Sequence, residues 1–452
     1  MSKLIRGLGP AAATSINIAN MIGTGVFLKA RVMTCNVDTP GAVLAVWVLA
    51  GLLVLAGALA YAELASMMPR AGGEYVFLRE AYGRRWAFLY GWTYVTISRS
   101  ASLAAQSVSS AIFLNIVTGG ALEGSLTLVA ITAILLTTLL NCAAVTTTGG
   151  IASVVTVIKI TLVLAVGGAA FLFADGNWMN YAMSGTSGAC EGVSPQARGG
   201  ISGFGAAMLG ALWGYQGWAN LAPMVGEIRD PGRNIPRAFL SATVIVAGVY
   251  VFANASYFFA LTPAEIASLS LSSSVATEVL STFLGSAAVS LMAVGLLFSS
   301  LGALHSGMAS TMRVPYAMAR DGLFFRGLDH LSPRTRVPVR AAFLIAAWSC
   351  VLALSGNYDR LTDYAIFALW LFYGLTASAV IVLRRRMPNA DRPYRVWAYP
   401  ILPALFILVT AAILVNTLIT STAQSLLGLA FIALGLPFYS YWSRRRKPET
   451  SD

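Results

Sequence analysis

Two apolar stretches of the sequence could hold a zwitterion inside a membrane. The stretch 18-IANMIGTGVFLK-29 places Gly23 and Gly25 in the middle of an apolar segment, and 213-WGYQGW-218 repeats the pattern with two more glycines. Glycine destabilises a helix interior by roughly 1 kcal/mol relative to alanine, so both helices are predicted to be interrupted. An interruption frees N–H groups at the start of one half-helix, where a carboxylate is favoured. Carbonyls freed on the other half can accept hydrogen bonds from an ammonium group.

These freed groups define a predicted substrate site. Thr24 and Trp213 would shape the pocket, with Trp213 closing over the substrate as an aromatic gate, while Asn17, Asn20 and Gln216 could tune the side-chain pocket. The alternative, that the glycines only allow close helix packing, stays open. The predicted substrate-binding residues are Ile18, Met21, Ile22, Gly23, Thr24, Gly25, Trp213, Gly214, Tyr215, Gln216 and Gly217.

The elements that must position these residues are membrane helices. Of the 452 residues, 57% are hydrophobic and only 11% are charged. Apolar runs near or above the roughly 18-residue threshold for a membrane helix recur along the whole chain. This pattern excludes a soluble protein and a cleaved signal peptide followed by a soluble domain. The predicted spans lie at approximately 11–35, 40–68, 86–116, 125–145, 150–174, 201–227, 237–261, 284–312, 340–355, 361–383, 398–419 and 425–443.

The net charge of +12 comes mostly from arginines in alternate loops between these spans. Such a distribution follows the positive-inside rule and argues against nucleic acid as a partner. Both termini are therefore expected on the cytoplasmic side, which requires an even number of spans. Because broken spans in corresponding positions indicate inverted repeats, we predict five-helix halves at 11–174 and 201–383. Two additional helices follow at 398–443.

Cysteine usage gives no metal or cofactor signal. The four cysteines lack the spacing of a metal site, and we predict neither a metal nor a cofactor. Cys142 and Cys350 lie in apolar segments and are interpreted as small core residues. Cys35 and Cys190 both fall on the predicted outer side, so a disulfide between them is left open.

Eight motifs together resemble the amino acid–polyamine–organocation superfamily of secondary transporters. Within it, the chain is most similar to bacterial members of the L-type amino acid transporter family, such as serine/threonine and alanine–serine–cysteine exchangers. The resemblance implies a LeuT-like fold with alternating access around spans 1 and 6. The motifs are 22-IGTGVFLK-29, 61-YAELASMMPRAGGEYVFLREAYG-83, 99-RSAS-102, 158-IKITLV-163, 213-WGYQGW-218, 226-GEIRDPGRNIPRA-238, 315-PYAMARDG-322 and 384-RRRMPNADRPYRVWAYP-400.

The resemblance also suggests roles for charged residues inside the spans, which are functional hypotheses by default. Lys159 would occupy the place of sodium in the sodium-coupled relatives, with Ala19, Ser299 and Ser306 among its partners; snorkelling to the interface is the alternative. Arg99 is interpreted as structural, pairing with carbonyls or a buried acid. His305 stands where relatives carry a small amide, which leaves a proton-linked step open, although a satisfied core histidine is the simpler interpretation.

The function expected from these observations is sodium-independent exchange of neutral L-amino acids across the bacterial inner membrane. Neutral substrates are favoured because no Asp or Glu lies at the depth of the two breaks. The alternatives are a cationic amino acid or polyamine antiporter, a proton-coupled symporter of the same fold, and a channel or membrane enzyme. No catalytic constellation is visible. Mammalian relatives bind a heavy chain through a cysteine between spans 3 and 4; 117-VTGGALEG-124 has none, so no such partner is expected.

Overall fold

The computed structural model describes residues 4–186, 189–270, 274–354, 358–420 and 422–444, and helices make up most of them. Each of the twelve predicted segments contains a helix, and we number the segments spans 1 to 12. Their helices are Pro10–Met21 with Gly25–Val37, Pro40–Met67, Arg84–Val117, Leu126–Asn141, Val145–Phe173, Gly200–Gly214, Pro231–Ala260, Ala287–Thr311, Val339–Ala353, Tyr358–Arg386, Ile401–Thr420 and Thr422–Arg444.

Length and hydropathy support a multi-pass membrane protein. Within the described residues, nine helices are long and apolar enough to cross a membrane, and a bent pair, Pro10–Met21 with Gly25–Val37, makes a tenth. The helices of spans 6 and 9 are shorter, at 15 residues each. Large apolar side chains such as Leu136, Val157 and Leu408 are exposed along the spans, as expected where lipid replaces water. The predicted all-α polytopic fold is confirmed.

The connecting loops meet on two opposite faces. Loops rich in arginine join on one side, which we call the basic face; there Leu8 pairs with Ile228, and a buried ion pair joins Glu227 to Arg313 at 2.7 Å. The basic face comprises residues 4–9, 68–83, 226–234, 312–338 and 384–400. Charged pairs therefore tie the ends of sequence-distant spans together at this face.

The opposite face carries the disulfide that the sequence left open. Cys35, at the end of the helix Gly25–Val37, is bonded to Cys190 in the loop between spans 5 and 6. The same loop receives a hydrogen bond from Arg31 through the Glu191 carbonyl, at 2.9 Å. The second half of span 1 is thus tied to this loop; the division into repeats at 11–174 and 201–383 stays a prediction.

Candidate functional site: a cavity between two interrupted spans

Span 1 is interrupted over three residues. The helix Pro10–Met21 ends where the Ile22 N–H donates to the Ile18 carbonyl at 2.8 Å. A second helix starts at Gly25 and is bent by 47° from the first. Its first N–H groups cannot have partners within the helix. Gly23 lies between the two halves, and a Cβ added there would meet nothing within 4 Å, so this residue faces open space.

Span 6 is interrupted opposite the first break. Its helix ends at Gly214, and the chain continues without regular helix to a short 3₁₀ helix, Ala222–Glu227. Gly217 has φ +105°, and a Cβ there would lie 2.3 Å from the Asn20 carbonyl oxygen. A Cβ on Gly25 would lie 2.8 Å from the Gly214 Cα. Gly25 and Gly217 therefore also allow close packing, because the two breaks contact each other through glycine backbone.

A cavity lies between the two breaks and spans 3, 8 and 10. Among the predicted substrate residues, those at its wall are Met21, Gly23, Thr24, Gly25, Trp213, Gly214, Gln216 and Gly217. Asn20 also lines it. No Asp or Glu occurs among the described lining residues. The cavity thus combines backbone of both breaks with neutral polar side chains.

The structure places three predicted substrate residues behind the cavity wall. The Ile18 carbonyl caps the helix end, and Ile22 turns its carbonyl towards Lys159. Tyr215 packs against Trp47 with ring centroids 5.9 Å apart and donates its hydroxyl to the Trp47 carbonyl at 3.0 Å. These residues support the breaks rather than line the space between them.

Lys159 lies directly at the first break. Its ammonium is buried and donates to the carbonyls of Ala19, at 2.8 Å, and Ile22, at 2.6 Å. The Ser299 hydroxyl of span 8 donates to the same Ile22 carbonyl at 3.3 Å. The structure therefore brings together Lys159, Ala19 and Ser299, whereas the Ser306 hydroxyl has no hydrogen-bond partner among the described residues. The role of Lys159 as a substitute for sodium stays a prediction.

A tyrosine of span 7 connects the two breaks. The buried Tyr250 hydroxyl lies 2.9 Å from the Met21 carbonyl oxygen and 2.8 Å from that of Gly214. Its single proton can be donated to either carbonyl. Trp47 packs edge-on against Tyr250, with centroids 5.0 Å apart. Tyr250 cannot be recognised from the sequence, because a tyrosine in an apolar span looks like an ordinary core residue.

Span 3 adds polar groups to the cavity wall that were not predicted as substrate-binding residues. Arg99 lines the cavity, and with the Asn220 side-chain oxygen turned towards it, both terminal guanidinium nitrogens lie 3.0 Å from that oxygen. A π-helical turn, Tyr94–Ser98, immediately precedes Arg99 and shifts the helical register. The remaining lining residues are Ser98, Ser102, Leu103, Ala105, Gln106, Ala303 and Leu369. The structural role predicted for Arg99 stays a prediction.

Two other predicted residues do not form part of the cavity wall. The Asn141 side-chain amide donates to the His305 Nδ1 at 3.0 Å and to its carbonyl at 3.0 Å. Asn17 is buried, and neither it nor His305 is among the residues that line the cavity. A proton-linked role for His305 stays a prediction. The Lys29 ammonium lies 4.6 Å from the ring centroid of Trp213, within range of a cation–π interaction; the gate role of Trp213 stays a prediction.

Burial perturbs an acid in the loop between spans 2 and 3. Glu74 begins the short helix Glu74–Tyr82 and is almost fully buried. Burial raises the pKa of this carboxyl to about 7, an effect that the charge of Arg99 partly offsets. Glu74 is therefore protonated in a large fraction of molecules at neutral pH.

Two interrupted spans that share one cavity, in a bundle of apolar helices, define a membrane carrier of the broken-helix class. The chain matches the family Amino acid permease over residues 8–447. It therefore belongs to this family, within the amino acid–polyamine–organocation superfamily, as the motifs predicted.

Full-length relatives match the whole bundle. The chain is 32% identical to the serine/threonine exchanger SteT of Bacillus subtilis, covering 98% of both chains. It is 30% identical to the b(0,+)-type amino acid transporter 1 of Mus musculus, covering 97% of this chain and 88% of the relative. Identity to the large neutral amino acids transporter small subunit 2 of Mus musculus is 27%, over 98% and 83% of the two chains.

Proposed function

We propose that the protein exchanges neutral L-amino acids across the membrane by alternating access. The observation that carries this proposal is the cavity itself, whose wall pairs Thr24 and Gly25, at the start of one half-helix, with Met21 and Gly214, at the ends of two other helices. This pairing suits the carboxylate and ammonium of an amino acid. Neutral polar groups such as Thr24, Gln106 and Gln216 remain for the substrate side chain. The names of the relatives, a serine/threonine exchanger among them, agree with this proposal.

The position of Lys159 supports exchange without sodium. An ammonium that donates to two carbonyls at the first break is a chemical substitute for a small cation bound by the same oxygens. Because this cation is covalently attached, it cannot dissociate during a transport cycle. The substrate gradient, rather than a sodium gradient, would then drive transport.

The cavity wall argues against the cationic alternative. Arg99 is the charged residue among the described lining residues, and a like charge disfavours a substrate with a cationic side chain. His305, the candidate for proton coupling, lies outside the wall and is held by Asn141. We therefore rank both the cationic antiporter and the proton symporter below neutral exchange.

The proposed setting is a bacterial inner membrane with the basic face and both termini in the cytoplasm, as the positive-inside rule requires. The protein is proposed to work without a covalently attached heavy chain. Two of its cysteines are joined to each other, and the other two lie within or at the ends of helical spans. No catalytic, cofactor or metal role is proposed; within the described ranges, no three His, Cys, Asp or Glu side chains group as metal ligands.

Proteoliposomes test this proposal. Vesicles containing the purified protein are loaded with unlabelled serine or left empty, and uptake of labelled serine, alanine, leucine and arginine is followed in sodium and in choline buffer. We expect internal serine to accelerate uptake of neutral substrates, equally in both buffers, and to leave arginine uptake at background. Uptake that ignores internal serine but follows an imposed pH gradient would contradict exchange.

A further inference from the structure

A second cavity, of about 540 Å³, opens on the basic face. Four segments that are distant in sequence form it: the N-terminal segment, the loop after span 2 with its short helix, the end of span 6, and the end of span 8. Its lining residues are Leu4, Arg6, Pro69, Arg70, Ala71, Tyr75, Val76, Arg79, Gly226, Tyr316, Ala317, Arg320 and Asp321. It shares no residue with the cavity between the broken spans.

Asp321, the single acid among the described residues that line this cavity, is already engaged. The Asp321 carboxylate accepts hydrogen bonds from Arg79 and, at 2.9 Å, from the Tyr75 hydroxyl. Its backbone carbonyl accepts a bond from Arg84 at 2.8 Å. Arg79 thus balances the negative charge of Asp321. The Asp321 carboxylate does not neutralise the other arginines that line the cavity.

Three arginines therefore give the cavity an excess of positive charge. Arg6, Arg70 and Arg320 are exposed, and each comes from a different segment. Arg70 approaches Glu80 only to 4.0 Å, with most of its side chain in solvent, a contact that contributes little. Arg320 lies over the Tyr316 ring, 5.9 Å from its centroid, which orients the guanidinium without cancelling its charge.

We propose that this cavity binds a phosphate group, supplied either by an anionic lipid headgroup or by a soluble phosphate ester. Guanidinium groups match phosphate oxygens in bidentate geometry and are the preferred ligands for such anions. The Tyr75 and Tyr316 rings contribute to the apolar part of the wall, together with side chains such as Leu4 and Val76.

A ligand at this position joins segments that have to separate if the carrier opens towards the basic face. The loop after span 2 already contacts the end of span 6, since a Cβ on Gly226 would lie 2.8 Å from the Ala71 nitrogen. A phosphate held by Arg6, Arg70 and Arg320 adds a link between the N-terminal segment, this loop and span 8. The bound anion stabilises the closed basic face, so this site regulates the carrier independently of which amino acid it transports.

Two binding assays on the purified full-length protein distinguish the two sources of phosphate. Native mass spectrometry in detergent measures retention of added phosphatidylglycerol against phosphatidylcholine. Thermal unfolding in inorganic phosphate, compared with chloride at equal ionic strength, measures the soluble anion. The test variant is Arg6→Gln with Arg320→Gln; the matched control is Arg85→Gln with Arg233→Gln, which removes two exposed arginines outside the cavity.

We expect wild type and the control variant to retain phosphatidylglycerol, or to be stabilised by phosphate, with an affinity at least about tenfold higher than the test variant shows. Preference for the lipid assigns the headgroup, and stabilisation by inorganic phosphate assigns a soluble ester. Equal affinity in the test and control variants, or no preference for either probe over phosphatidylcholine and chloride, overturns the proposal. Neither readout involves transport, so the result is independent of the exchange proposal.

Discussion

Replacing Lys159 with methionine tests whether the ammonium maintains the first break. Methionine keeps most of the side-chain volume but removes the donors to Ala19 and Ile22. The Ile22 carbonyl retains a bond from Ser299 at 3.3 Å. The Ala19 carbonyl would be left without its side-chain donor, and its helical partner would lie in the interrupted segment.

The expected magnitude follows from this difference. A buried carbonyl without a donor costs about 1–3 kcal/mol, and removing the ammonium relieves part of the cost of burying a charge. If the loss of the ammonium destabilises the transport-competent conformation of the break by about 2 kcal/mol, the exchange rate falls roughly 30-fold. Exchange of labelled serine in proteoliposomes measures this rate, and size-exclusion chromatography with thermal unfolding verifies that the variant folds.

A matched control lies one turn away on the same span. The Thr156 hydroxyl donates to the Ser15 carbonyl at 2.8 Å, but Ser15 lies inside the continuous helix Pro10–Met21. Thr156→Val therefore removes a bond to span 1 without affecting the break, and exchange should fall by less than about threefold. An unchanged rate in Lys159→Met refutes the reasoning. Equal losses in both variants would assign the effect to packing of span 5 instead.

Three other predictions address the breaks, the disulfide and the buried acid. Gly217→Ala should abolish exchange because its φ of +105° and a backbone carbonyl 2.3 Å from the added Cβ exclude a side chain, whereas Gly23→Ala should fold normally and change only substrate affinity. Cys35→Ser should lower the free energy of unfolding by about 2–5 kcal/mol, measured by thermal unfolding, while Cys142→Ser should not. Burial raises the pKa of Glu74 from 4.5 to about 7, so the folded state binds this proton more tightly than the unfolded state does. The free energy of unfolding should therefore fall as the pH rises from about 4.5 to about 7. Glu74→Gln should remove this part of the pH dependence of the unfolding temperature; an identical pH profile in both proteins would contradict it.

Much of the fold could be predicted from sequence because hydropathy and charge act locally. A run of apolar residues has to be helical in a bilayer whatever its neighbours are, so the spans and the break at residues 22–24 are visible in the sequence alone. Lys159 was placed at the break through the family motif. Its two carbonyl partners agree with that placement.

The rest of the site depends on register and on contacts between distant spans. The π-helical turn Tyr94–Ser98 inserts an extra residue into one helical turn, and no composition signal marks it, so Arg99 was not expected at the cavity wall. Tyr250 acts through two backbone carbonyls, which sequence patterns do not reveal. Asn220 reaches the wall from a stretch without regular helix, where residue spacing predicts no direction.

The glycine contact between the breaks constrains how this carrier can diversify. A Cβ on Gly25 would lie 2.8 Å from the Gly214 Cα, so Gly25 cannot gain a side chain unless span 6 retreats, whereas a Cβ on Gly214 would lie 2.7 Å from the Trp47 ring of span 2. Substitution of Gly25 therefore requires a movement of span 6, and substitution of Gly214 requires a change at Trp47. A new specificity would arise most readily on the opposite wall, where Ser102, Gln106 and Leu369 present side chains rather than backbone. The proposed recognition of the amino acid backbone would thereby be fixed, while the choice of side chain would stay open to evolution and to engineering.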